Sequence, residues 1–246
     1  MSAMAVGRTR LDTQEVNIIE TSQQLLLQAK THEPTDSLLK VVEGINEEVL
    51  SGQLKNDSYK KAFWINIYNA FTQIILFKNP DKYKNRSAFF GDKQINIAGR
   101  KLSLDDIEHG ILRHSKIKWG LGHLNKLFPS AFEKKQRVDS VDYRIHFSLN
   151  CGAKSCPPIA FYTPELLEKQ LNLATKVYLQ GEAEFSEKEN IVALPAIMGW
   201  FRGDFGGKKK MLELLHRLQI VPENKMPKIK FKKYNWNLFL ENYKPE

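Results

Sequence analysis

The segment from Arg144 to Ile159, R-I-H-F-S-L-N-C-G-A-K-S-C-P-P-I, contains both cysteines of the chain and one of its six histidines. A thiol beside an imidazole is the raw material of nucleophilic catalysis, in which the base takes a proton and the thiolate attacks. Cys156 is the nucleophile this pattern favours. Ser155-Cys156-Pro157-Pro158 sets it at the lip of a loop, and a short helix beginning at Pro157 would lower its pKa. His146 is the nearest imidazole in sequence and supplies the base. An amide, Asn66 or Asn69, would orient that base as the third member of a thiol triad does. Glu108 and His109 are adjacent, so on an α-helix they point about 100° apart and need a third group to act together. The soft ligands His146, Cys151 and Cys156, with His109 as a fourth, would suit zinc. Their spacing matches neither a zinc ribbon nor a finger, so no metal is assigned. No cofactor is assigned either, because the glycines and lysine of Gly203 to Lys208 lack the phosphate-loop pattern.

The elements that must position these groups can be read from periodicity. Ile145, Phe147 and Leu149 alternate with Arg144, His146, Ser148 and Asn150, which predicts a strand ending at Gly152. Ahead of it, Asp12 with Glu15 opens a first helix after a loose leader over Met1 to Arg10. A second helix is expected from Asp36 to Leu50, and a third from Asp57 to Phe77. The third is apolar on most of its circumference, which makes it central. Asn66, Asn69 and Gln73 form one polar stripe inside it, either tying down neighbouring loops or lining a cleft. A loop follows from Asn79 to Lys93, then a hairpin over Gln94 to Leu104. Ser103 caps a helix carrying Asp105, Asp106, Glu108 and His109. His114 and His123 are expected at the surface. Thr163-Pro164 starts a helix running to about Leu179. Phe185 pairs as a strand with Ile191 to Leu194, and short helices follow at Ala196 to Phe201 and around Met211 to Leu218. Asp204 to Gly207 is expected to be a flexible turn. The tail, alternating through Ile229, Phe231, Tyr234 and Trp236, is expected to close as a lysine-protected edge strand.

The chain has 246 residues, 42% of them hydrophobic, and a net charge of +9. It can bury a real core and is not of disordered composition. Two cysteines make no disulfide framework, and reduced thiols are expected. The N-terminus lacks the apolar stretch of a signal peptide, and no apolar run approaches a membrane span, so a soluble, cytoplasmic protein is expected unless a signal sequence has been removed. The lysines are spread along the chain, with clusters at Lys208 to Lys210 and Lys228 to Lys233. That spread reads as a solvated basic surface, and no specific nucleic-acid binding is expected.

Three segments, F-W-I-N-I-Y-N-A (Phe63 to Ala70), L-S-L-D-D-I-E-H-G-I-L-R (Leu102 to Arg113) and H-F-S-L-N-C-G-A-K-S-C-P-P-I (His146 to Ile159), together resemble the domain-of-unknown-function 547 family. Gly199-Trp200-Phe201 and Asp204-Phe205 fit the same pattern, and the resemblance covers roughly Tyr59 to Leu218. It implies a fold and a site region, not an activity. The implied arrangement is loosely similar to papain-like and transglutaminase-like thiol enzymes, although those place cysteine before histidine and the order here is reversed. The expected fold class is α+β: a helical N-terminal extension over residues 1–56, then one domain over 57–246 with a long central helix packed against a small, mainly antiparallel sheet. The expected function is a cysteine-dependent hydrolase or acyltransferase, its cleft lined by Cys156, His146, His109, Glu108, Asn66 and Asn69 and open to a small-molecule or peptide ligand. The alternative is a non-catalytic binding or scaffold module using the same cleft.

Overall fold

The long helix α4 (Asp57–Lys78) lies at the centre of the molecule, and Asn56 caps it by accepting from Ser58 N and Tyr59 N. Residues 61–74 are all buried, as an all-round apolar helix requires. The computed structural model describes residues 16–243, so the leader and the capping pair Asp12 and Glu15 lie outside the described residues. Helix α1 (Ile18–Thr31) is capped instead by Asn17 and packs along α4 more extensively than any other element does. The single helix expected over Asp36 to Leu50 is two helices, α2 (Asp36–Gly44) and α3 (Glu47–Gln53). Asn46 adopts an extended backbone and accepts from Glu48 N, so a cap interrupts an apolar spacing that runs straight through it. The loop expected after α4 contains a 3₁₀ turn (Pro80–Lys84) and helix α5 (Arg86–Gly91), the latter capped by Asn85.

The fold is α+β, with two small sheets. Strands β1 (Ile95–Ile97) and β2 (Arg100–Leu102) form the expected antiparallel hairpin. Ser103 then opens the next helix through reciprocal bonds with Asp106, but the helix is π-wound over Asp106–Leu112. Such windings recur at functional sites. After helix α6 (Ala131–Gln136) comes a correction to the expected strand. Residues Tyr143–Phe147 form a 3₁₀ turn, started by Asp142 accepting from Arg144 N. Ile145, His146 and Phe147 are all buried, and the segment belongs to neither sheet.

Helix α7 (Leu167–Glu182) leads into strands β3 (Glu184–Ser186) and β4 (Ile191–Leu194), which pair antiparallel. Helices α8 (Ala196–Trp200) and α9 (Gly207–Arg217) follow, and β5 (Lys228–Phe231) adds to β4 in parallel. The expected continuation of β5 through Tyr234 and Trp236 is not a strand. The tail instead crosses back over the cysteine loop: Lys154 N donates to Asn237 O, Phe239 N to Gly152 O and Ile159 N to Asn242 O. One apolar cluster surrounds α4 and a second fills the space between α7, β4 and α9. No helix of the described residues is long and apolar enough to cross a membrane.

Candidate functional site

The cysteine loop is held from below by α4. Asn69 donates to Ser148 O and accepts from Asn150 N, both at 2.9 Å. Asn150 in turn donates to Pro157 O and accepts from Gly152 N. Gly152 has φ of +84°, and a side chain there would meet Leu76 Cδ1 at 2.7 Å, so only glycine fits the turn. The folded-back loop brings two free thiols together, with Cys151 Sγ 2.6 Å from Cys156 Sγ. Cys151 N donates to the Cys156 sulfur, and the Tyr234 hydroxyl lies 3.3 and 3.1 Å from the two sulfurs. The hydrogen bond from Cys156 lowers the Cys151 pKa against the opposing effect of burial. Burial, and its role as that donor, push Cys156 well above the usual thiol value. Cys151 is therefore the more acidic thiol.

Cys156, the expected nucleophile, is buried and stands at no helix start, because the chain after Pro157 is irregular. Cys151 is the thiol that lines a cleft of about 400 Å³. His146, Glu108, His109, Asp105 and Tyr68 line the same cleft. Asn66 and Asn69 do not: both are fully buried behind it, and Asn66 clamps the backbone of Tyr162. Gln73, the third member of the stripe, is buried with no hydrogen-bond partner for its Nε2 among the described residues.

His146 turns to a carboxylate and not to Cys156. Its Nε2 lies 2.9 Å from Asp204 Oδ2, and the ring stacks on Phe201 at 4.2 Å. Asp204 also accepts from Arg113 Nε at 2.6 Å, with both side chains fully shielded from solvent. Burial raises the Asp204 carboxyl, but the hydrogen bonds from His146 and Arg113 outweigh it and hold the group below its usual value. Burial lowers His146, and Asp204 offsets this only in part, so the imidazole is neutral at neutral pH. A neutral ring bonded to a carboxylate through Nε2 carries its proton there and leaves Nδ1 as the acceptor. Arg113 reaches on to His109 Nδ1 at 2.9 Å, and Tyr68 donates to Glu108 at 3.1 Å. These are the third groups that the adjacent Glu108 and His109 require. His114, expected at the surface, is half-buried and bonded to Val138 O.

The opposite wall is aromatic. Trp200 and Trp236 stack at 5.5 Å, Tyr234 lies against both, and the Arg86 guanidinium covers Trp236 at 4.9 Å. Sequence reasoning missed Arg113 and Tyr68, took Asp204 for part of a flexible turn and assigned Tyr234 and Trp236 to a strand. The one available signal for Asp204 was its adjacency to Phe205 in the family pattern. The postulated zinc set is not assembled, and among the described residues no group of three or more histidine, cysteine or acidic side chains is disposed to hold a metal ion. A second cavity, of about 320 Å³, is lined mainly by apolar residues such as Ile159, Phe161 and Leu173 and includes neither thiol.

No curated protein and no solved structure matches this chain. Residues 52–179 match the family model described as protein of unknown function DUF547. That span takes in α4, the π-wound helix and the cysteine loop but stops short of Asp204 and Tyr234; it is just over half of the sequence, and the chain belongs to the DUF547 family.

Proposed function

We propose that the cleft carries out cysteine-dependent acyl transfer or hydrolysis, with Cys151 as the attacking sulfur. The observation that carries this is the asymmetry of the thiol pair: the cleft-lining sulfur is the one whose pKa is lowered, by a hydrogen bond from its buried partner. A thiolate is the reactive form, and a donor on its far side favours it. In this scheme Cys151 Sγ bonds to a substrate carbonyl carbon and the leaving group departs. His146 accepts and returns protons at Nδ1, and Asp204 stabilises the imidazolium through Nε2–H, as the acid of a triad does. Glu108 and His109 fix the polar end of the substrate, and the Trp200–Trp236 platform takes its apolar part.

The test uses iodoacetamide and p-nitrophenyl acetate on the purified protein, with mass mapping of the modified residue. Cys151 should alkylate faster than Cys156 and below the usual thiol pKa, and it should be the residue acetylated. His146→Gln should slow turnover of the acetyl group. Equal, slow labelling of both cysteines with no acetylation would reject the scheme and leave the cleft as a binding module.

The sulfur–sulfur distance favours a second reading, thiol–disulfide exchange. At 2.6 Å the sulfurs are close to the ~2.05 Å of a disulfide bond. Joining them would pass two electrons and two protons to an acceptor disulfide. Cys156→Ser separates the two schemes, since it would slow acylation but abolish exchange.

A further inference from the structure

Residues 116–128 form an ordered loop that holds large apolar side chains out in solvent. Its ends are stitched together, with Ile117 N donating to Leu124 O at 2.9 Å and Lys126 N to Ser115 O at 2.7 Å. Its middle is locked onto the segment that carries Asp204. Gly203 N donates to Leu121 O at 2.8 Å, and a side chain on Gly203 would meet the Gly122 carbonyl carbon at 2.6 Å. On this fixed frame Trp119 is 76% exposed, Leu127 84% and Phe128 89%, with Leu121 and Leu124 partly exposed beside them. Scattered single apolar residues need no explanation, but a cluster of this kind marks an interaction surface.

Charge and residue type select the partner. Lys118, Lys126, Lys134 and Lys135 are exposed along the same stretch of chain. Lys118 and Lys126 pair with Asp105 and Glu133, so the uncompensated positive charge of this stretch is carried by Lys134 and Lys135. A tryptophan and a phenylalanine with a lysine collar match the interfacial zone of a bilayer, where aromatic rings sit at headgroup level and lysines meet anionic headgroups. We propose that this loop docks the protein on an anionic lipid surface, with Trp119, Leu127 and Phe128 entering the headgroup region. The loop also contributes Lys118 to the cleft wall, so the docked surface and the cleft share one element. The docking surface stands independently of any role for the thiols.

The experiment is flotation of the full chain with phosphatidylcholine vesicles, with and without about a third phosphatidylserine. The parent should float with the mixed vesicles and much less with phosphatidylcholine alone. W119S/L127S/F128S, eluting and melting like the parent, should bind about ten-fold more weakly or worse. K134Q/K135Q, which leaves the apolar tip intact, should bind more weakly and lose part of the salt dependence. Failure of the parent to float with the anionic vesicles, or unchanged binding by both variants, would overturn the proposal. So would a parent that self-associates and a triple variant that does not, because a second copy would then be the cover.

Discussion

Asp204 ties two side chains of the site together, because one carboxylate accepts from both His146 and Arg113. Replacing it with asparagine would leave the fully buried Arg113 without its counter-ion. Removing one partner of a buried pair typically costs about 3–5 kcal/mol. Asp204→Asn is therefore expected to lower unfolding free energy by that order in urea titrations. A loss under about 1 kcal/mol would mean that Arg113 is satisfied elsewhere. Residue identity alone could not reveal this role. Flanked by Gly203, Gly206 and Gly207, the aspartate has the surroundings of a solvated turn, and only packing against Arg113 makes it a buried anion. The choice between Cys151 and Cys156 was hidden for a similar reason. Their order in sequence says which is nearer the prolines, not which sulfur donates to the other.

At the scale of the element, α4 was legible because its periodicity is sustained and apolar on every side. Its boundaries emerge within a residue of those expected. Short segments were not legible: alternation over Arg144 to Asn150 has the period of a strand but is too brief to prevail, and the Asp142 cap starts a 3₁₀ turn there instead. The same helix yields a comparison of two amides. Asn66 and Asn69 are both 0% exposed, and each clamps a separate backbone segment. Asn66→Ala and Asn69→Ala should each destabilise by about 1–3 kcal/mol. They should part company at the thiols. Asn69 anchors Ser148 and Asn150 just before Cys151, so Asn69→Ala should shift the pH profile of Cys151 alkylation, whereas Asn66→Ala should leave it unmoved. Identical profiles in both variants would disprove a positioning role for Asn69.

The whole molecule is tied together by a chain of charges across its elements. Asp142 binds Lys61 of α4 at 2.9 Å and Arg144 at 2.8 Å, and Arg144 reaches Glu168 of α7 at 2.8 Å. Burial pushes Asp142 up, but the Arg144 hydrogen bonds and the Lys61 charge prevail and hold its pKa down at about 2. The unfolded chain therefore takes up this proton first as the solution is acidified. The stabilisation, on the order of 2 kcal/mol, is complete above pH ~4 and is lost as pH falls towards about 2. Acid titrations followed by circular dichroism should show Asp142→Asn less stable than the parent at neutral pH and equal to it near pH 2. A constant difference across that range would remove Asp142 from the acid response.

The tail that crosses the cysteine loop also sets an order of events during synthesis. The loop is translated long before Tyr234, whose hydroxyl completes the sulfur pair, and before Asn237 and Phe239, which bind the loop backbone. A nascent chain that has made Cys151 and Cys156 therefore lacks the contacts that tune them. Domains made from the N-terminus forward ordinarily gain structure as they emerge, and α4 can pack on α1 at once, but the cysteine loop completes its contacts only with residues 234–243. Ribosome-bound chains, or chains truncated before residue 234, carry both cysteines without the Tyr234 hydroxyl and without the Asn237 and Phe239 contacts to the loop.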